Sequence, residues 1–254
     1  VGSNFNPEVG FYARRGYRRV DSQVRATFRP ANSRGIHEVE PHVSHYTVFD
    51  VDTGFQETQY THFDNHVEWR NGYRVSTGVN LTTEGVFEPF EIYPEIDVPL
   101  GTYNQTEGIF RFNTNRGAAY GFEVSSIAGG FFGGRRFQVR PQVNMRIGDT
   151  FNAEVGLDRN DISLHWGNFV TNLGLLRVSY SFTTRVFLQA LVQYNDRRDL
   201  WSSNIRFGVL ADANTGLFVV YNDIRYFDDV LGQRFTRSAQ GGRTLTVKYS
   251  HVFD

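Results

Sequence analysis

The chain has no cysteine and a single methionine among its 254 residues. Without a thiol there is no disulfide, no thiolate nucleophile and no cysteine-ligated metal. Proline is scarce, at seven residues. No run approaches the roughly 18 apolar residues of a membrane helix, and no helical period lasts beyond a few residues. A surplus of charge is also lacking: 26 basic residues face 27 acidic ones, a formal net charge of -1. That balance lacks the basic stripe needed to bind phosphates, so nucleic acid is not expected as a partner. The opening Val1-Gly2-Ser3-Asn4 carries no basic and apolar leader; an exported protein beginning so is expected to be a mature or processed form.

What the chain has is aromatic residues and alternation. Aromatics make up 15% of it, with 23 Phe and 13 Tyr, at 40% hydrophobic residues. From Phe137 every second residue is apolar (Phe137, Val139, Pro141, Val143, Met145), while Gln138, Arg140, Gln142, Asn144 and Arg146 lie between. The pattern resumes as Phe151, Ala153, Val155, Leu157 and again as Leu176, Val178, Tyr180, Phe182. A period of two means strands with one apolar and one polar face.

Along the chain the same period predicts strands over Arg19 to Arg29, Ile36 to Phe49, Gln56 to Arg70, Tyr73 to Thr82, Phe87 to Tyr93, Thr106 to Thr114 and Ala119 to Ala128. After the central stretch it predicts Val186 to Asn195, Ser203 to Ala211, Leu217 to Asp223 and Arg243 to Phe253. Asn71-Gly72 predicts a type I′ hairpin turn, and the glycines around Phe131 a hairpin tip, since the Gly-Lys-Ser/Thr ending of a phosphate loop is missing. Residues 1–16 have no clear period and are expected to be a linker, a plug or the stub of a missing domain, with the barrel in 17–254.

Two folds suit such strands: a soluble sheet with the apolar face as core, or a membrane barrel with that face on lipid and the polar face lining a lumen. Loop lengths favour the second. Short connections are expected at Thr83 to Val86, Asn115 to Ala118, Gly148-Asp149, Thr183 to Arg185 and Asp212 to Gly216. Longer ones are expected at Glu95 to Gly101, Arg159 to Asn172, Asp196 to Ser202 and Ile224 to Gly242. Segregation of long from short by end is a mark of outer-membrane barrels, as is a final apolar-aromatic strand, here Leu245, Val247, Tyr249 and Phe253. The expected fold is therefore all-β, a transmembrane antiparallel up-and-down β-barrel of about 14 strands (range about 12–16).

On that fold Arg19, Arg25, Arg74, Arg111, Glu123, Arg140, Arg146, Glu154, Arg177, Arg206 and Lys248 are expected to line the lumen, with Asp21, Asp64, Glu68 and Asp158 among them. A wall of both signs either tunes the passage of solutes or ties itself together by ion pairs. His42 and His45 come near His62 and His66 if the second and third strands pair, but His42 and His45 point to opposite faces. His62 and His66 are roughly 13 Å apart along a strand, so no metal site is assigned. His251 with Ser250 or Ser179 suggests a surface lipase, yet no Gly-x-Ser-x-Gly elbow accompanies them; no enzyme and no cofactor are expected.

Asn6-Pro7-Glu8-Val9-Gly10-Phe11, Tyr180-Ser181-Phe182-Thr183, Phe187-Leu188-Gln189-Ala190 through Gln193-Tyr194-Asn195, and Leu217-Phe218-Val219-Val220-Tyr221-Asn222 resemble segments of a bacterial family of uncharacterised function. In that family a β-sandwich like a family-9 carbohydrate-binding module precedes a C-terminal outer-membrane barrel. The resemblance covers Asn6 to Phe11 and Leu173 to Asp254; Asp212 to Gly216 departs from the Pro-Gly turn of the family. It implies location in the bacterial outer membrane, with lipid as partner, but neither a catalytic residue nor a substrate, and the sugar-binding module is not among these residues. The function expected is a passive, porin-like channel or the embedded part of an envelope assembly, with other envelope proteins met through loops 159–172 and 224–242. The alternatives are a plugged barrel serving as an anchor and a soluble β-sandwich that binds carbohydrate.

Overall fold

A computed structural model describes residues 1–6, 8, 15–31, 33–212, 215–230, 233–236 and 241–251. The chain is all-β, with 75% of residues in strands; among the described residues the only helical turn is a 3-10 turn at Asp196–Arg198. The strands are β1 (Tyr17–Arg25), β2 (Ile36–Asp50), β3 (Gln56–Trp69), β4 (Arg74–Val86), β5 (Phe90–Tyr93), β6 (Ile96–Val98), β7 (Gly101–Asn113) and β8 (Tyr120–Phe131). They continue as β9 (Gly134–Ile147), β10 (Phe151–Leu164), β11 (Gly167–Ser181), β12 (Val186–Asn195), β13 (Leu200–Asp212), β14 (Thr215–Val230), β15 (Gln233–Thr236) and β16 (Gly242–Ser250). Pairing runs β1-β2-β3-β4-β7-β8-β9-β10-β11-β12-β13-β14, and β14 carries both β15 and β16, giving one fourteen-stranded up-and-down sheet; β5 and β6 form a separate hairpin. Among the described residues this path runs from β1 to β15 and β16, with no ladder recorded between its ends.

Register turns the sequence alternation into two faces. In β11–β16 one row reads Tyr180, Leu188, Phe207, Val219, Val247, each directly opposite the next. The adjacent row of the same face reads Val178, Ala190, Ile205, Tyr221, Leu245. Between them, on the other face, runs Ser179, Gln189, Arg206, Val220, Thr246. Aromatic and β-branched pairs opposite one another stabilise such a ladder by roughly 0.2–1 kcal/mol each.

The burial is inverted relative to a soluble sheet. Val24 (73% exposed), Leu245 (68%) and Val247 (63%) lie open, while His42, Glu57, Ser76, Asn80, Glu107, Gln138 and Asp223 are buried. Among the described residues there is one conventional apolar cluster: Ile162, Leu164 and Phe169 at the β10–β11 end pack against Ile92, Tyr93 and Ile96 of the β5–β6 hairpin and Phe131-Phe132. Tyr93 stacks on Phe169 at 4.5 Å. Gly167 belongs to this packing, since a Cβ there would meet Ile96 Cδ1 at 2.7 Å.

Several connections differ from the sequence expectation. Thr83 to Val86 continues β4, Arg159 to Asn172 is strand except for residues 165–166, and 224–230 and 233–236 extend the sheet as β14 and β15. Long and short connections therefore do not segregate by end: residues 51–55, 132–133 and 165–166 are short on the side where long loops were expected. The alternation was cut off too early by polar residues such as Asp161 and Asn168, which sit within strands that extend beyond their apolar stretch. The Phe87 to Tyr93 strand is only β5, part of the separate hairpin.

At Asn71-Gly72 only Gly72 has positive φ (83°). Trp69 N–H donates to Tyr73 O at 2.8 Å and Gly72 N–H to Trp69 O at 2.8 Å. This is a three-residue loop closing on a left-handed glycine, not a type I′ turn. The paired positive φ of type I′ occurs instead at Phe132 (43°) and Gly133 (75°), within the glycine cluster.

By contact density the chain forms two compact units, Val1–Phe112 with Ser125–Gln138 and Asp161–Val170, and Asn113–Val124 with Val139–Asn160 and Thr171–Asp254. In the first, the Val1 amine donates to Tyr17 O at 2.9 Å and Ser3 Oγ to Asp52 Oδ2 at 2.6 Å, so the chain start borders β1 and the β2–β3 turn. Most of 7–14, including part of the segment considered as a plug, lies outside the described residues.

Candidate functional site

The polar face of β1–β4 is a continuous wall. Across it run the rows Asp21, Tyr46, Tyr60, Thr82; then Gln23, Ser44, His62, Asn80; then Arg25, His42, Asp64, Gly78. A fourth row is Glu40, His66, Ser76. Period two puts His62, Asp64 and His66 on one side of β3, and the β2–β3 register places His42 directly opposite Asp64. His62 Nε2 lies 3.5 Å and His66 Nε2 3.6 Å from Asp64 Oδ2. The His42 ring centroid is 5.1 Å from that of His62 and 5.0 Å from that of His66. Gly78 makes room for this packing: a Cβ there would come within 2.3 Å of Phe63 O and 3.1 Å of Asp64 Cβ.

The second unit carries a wall of longer reach. Arg116 pairs with Glu123 at 2.8 Å, Arg140 with Asp158 at 2.7 Å and Arg177 with Glu154 at 3.4 Å. A cavity of about 500 Å³ is lined by Arg116, Glu123, Gln142, Arg146, Glu154 and Arg177, with Asn144, Asn152 and Ser179. Half or more of each arginine's side chain in these pairs is exposed, so the pairs are hydrated and worth at most about 1 kcal/mol each. A wall of this kind holds water and ions of either sign.

The chain matches no known family model, no curated protein and no solved structure.

Of the residues expected on the polar face, Glu123, Arg146, Glu154 and Arg177 share the second unit's cavity, and Arg140 sits beside it on β9. Arg19 is bound to Asp21 at 2.7 Å and lies over the Tyr46 ring; Arg74 reaches Glu40 at 3.4 Å. Arg25 stands opposite His42 in the register, and Arg111 is exposed on β7. Arg206 packs over the Phe218 ring at 4.6 Å, and Lys248 is exposed opposite Phe218. So the wall thins toward β12–β16, where Phe187, Leu191 and Phe218 share it.

The His/Asp cluster went unassigned because His62 and His66 were considered without the residue between them. The signal was present: His62-Phe63-Asp64-Asn65-His66 alternates, which brings all three polar groups to one face. Glu107 and Arg136, an ion pair in the first unit, were also missed; Glu107 lies four residues from Arg111 in β7, hence on its face. Of the lipase candidates, His251 lies with Nδ1 3.1 Å from Thr215 Oγ1 and stacks on Tyr249.

Proposed function

We propose that the chain is an outer-membrane β-barrel, its apolar face on lipid and its polar face lining an aqueous lumen that acts as a passive channel. The observation that carries this is the inverted burial: Phe63, Val79, Phe137, Val143, Val155, Leu245 and Val247 of the apolar face are exposed while His42, Ser76, Asn80 and Gln138 are buried. In water that arrangement forfeits about 25 cal/mol for each Å² of apolar surface left wet. In a bilayer the cost disappears, and a sheet whose edges are paired satisfies every backbone group. Strands of 13–16 residues, such as β7, β11 and β14, exceed the roughly 9–11 needed to cross.

The resemblance of Asn6 to Phe11 and Leu173 to Asp254 to segments of a family that carries an outer-membrane barrel supports the same reading. A soluble carbohydrate-binding sandwich would instead cover the apolar face with a second layer. Envelope proteins would meet the barrel at 159–172, now a hairpin, and at 224–242.

A second reading is favoured by the self-pairing of the walls through Arg19–Asp21, Arg74–Glu40, Arg140–Asp158 and Arg177–Glu154: a barrel tied shut that anchors a partner. Planar bilayers separate the two. Stepwise conductance on adding purified protein supports the channel, and persistent silence of inserted protein supports the anchor. Full extraction from cells by buffer without detergent would defeat both in favour of the soluble sheet.

A further inference from the structure

The geometry points to a binding site for a divalent transition-metal cation of the zinc class, formed by His42, Asp64 and His66 with His62 as the fourth ligand. One ligand atom from each of His42, Asp64 and His66 lies within 4.8 Å of the others. A tetrahedral zinc site spaces its ligand atoms by about 3.3 Å, given bonds near 2.0–2.1 Å. The difference of about 1.5 Å is within the reach of side-chain rotation about χ1 and χ2. Imidazole with one carboxylate is a donor set suited to zinc, nickel or copper rather than to calcium or magnesium.

Two further observations set the cluster apart from a chance grouping on a polar wall. The first is unmet polarity: the Asp64 side chain is 5% exposed and His42 9%, yet neither Asp64 Oδ1 nor His42 Nδ1 has a hydrogen-bond partner. A buried polar atom left unpaired is unfavourable, the more so on a charged group, and a cation drawn to this carboxylate and imidazole lessens that cost.

The second is the support behind the rings. His62 Nδ1 donates to Asn80 Oδ1 at 2.7 Å, and Tyr60 Oη donates to the same oxygen at 2.9 Å. With a proton on Nδ1, His62 turns Nε2 toward the Asp64 carboxylate 3.5 Å away, where a cation can bridge the two. His66 Nδ1 shares a hydrogen bond with Ser76 Oγ at 2.5 Å, which fixes the ring's orientation. Ser76 and Asn80 are both buried, and both lie on β4 behind the ligands of β2 and β3. Outer partners that fix the second ring nitrogen accompany nearly every metal-bound histidine. Arg25 stands opposite His42 in register, and Arg74, two residues before Ser76 on β4, is engaged by Glu40 at 3.4 Å. The inference stands whether the wall lines a pore or closes on itself, because it rests on three neighbouring strands of one unit.

The test is calorimetric titration of the full purified chain in detergent with zinc chloride, in a buffer free of phosphate and chelators. One equivalent is expected to bind with micromolar or tighter affinity. His42→Ala and His66→Ala each weaken binding at least tenfold, and Ser76→Ala weakens it about 10–100-fold. His45→Ala is the control: His45 is on the other face of β2, with its Nδ1 2.8 Å from Thr61 Oγ1, and leaves affinity unchanged. Cobalt in place of zinc gives an intense visible spectrum if the site is four-coordinate, and His66→Ala abolishes it. Circular dichroism confirms that each variant retains its strands. Failure of the wild-type chain to bind zinc at 100 times micromolar concentration overturns the proposal, as does equal weakening by His45→Ala and His66→Ala.

Discussion

The polar walls of β2–β4 and β8–β11 arise from one alternation and differ in how far their side chains reach. On β2–β4 the groups are short or planar, and they meet across strands about 4.8 Å apart, so His42, His62, Asp64 and His66 pack against one another, with the Asp64 side chain 5% exposed. On β8–β11 the cations are arginines, whose charges stand several bonds from the backbone; they reach neighbouring strands and stay hydrated around a cavity of about 500 Å³. The first wall sets short groups at fixed distances, the arrangement on which the proposed cation site rests. The second leaves its charges exposed and screened by water, the arrangement on which the proposed channel rests. Whether a polar strand face becomes a site or a lining is decided by side-chain length and by register.

On the proposed barrel both walls face water and the opposite faces meet lipid, so a charge placed on an outer face is costly. Phe63→Arg in the first region and Val143→Arg in the second each replace an exposed apolar side chain of the outer face. Each is expected to cost about 2–4 kcal/mol in urea titrations of vesicle-inserted protein, if near the bilayer midplane. Asn144→Arg, one residue along on the cavity side, is expected to change stability by less than about 0.5 kcal/mol. Equal costs for Val143→Arg and Asn144→Arg would break the assignment of faces.

The difference in packing is tested by two glycines. Gly78→Ala drives a Cβ to within 2.3 Å of Phe63 O and is expected to cost about 1–3 kcal/mol, as overpacking does. Gly156→Ala in the other wall meets nothing closer than 3.9 Å and is expected to stay within about 0.5 kcal/mol of the parent. Equal effects in the same titration would mean the first wall is no tighter than the second.

The smallest stability effect is expected from the ion pairs. Glu154→Gln releases Arg177 in the cavity and Glu40→Gln releases Arg74, each changing stability by about 1 kcal/mol or less. Conductance sharpens the comparison: Glu154→Gln adds net positive charge to the open wall and is expected to shift the reversal potential under a salt gradient toward anions. An unchanged reversal potential would show that Glu154 and Arg177 do not border the conducting path.

Strand positions and the two faces could be read from Arg19 to Lys248 because period two is a local property, written in adjacent residues. Connections were less legible. Arg159 to Asn172 looks like a loop because Asp161 and Asn168 interrupt the apolar count, yet backbone pairing continues through them where the strand has left its apolar band. Asn71-Gly72 carries the letters of a type I′ turn, but Trp69 pairs with Tyr73 and only Gly72 takes positive φ.

Sequence by itself determined that this is a strand protein with one polar and one apolar face, because each residue's side of a strand follows from its parity. Only the tertiary structure decided which residues of different strands meet. Parity places Asp64 beside His62 and His66, but His42 lies across from Asp64 only through the register of β2 against β3. Register depends on every pairing along both strands at once, including the irregularities near Ile36/Glu38 and Val48/Phe49. A shift by one residue would carry His42 to the other face and leave Asp64 opposite an apolar neighbour.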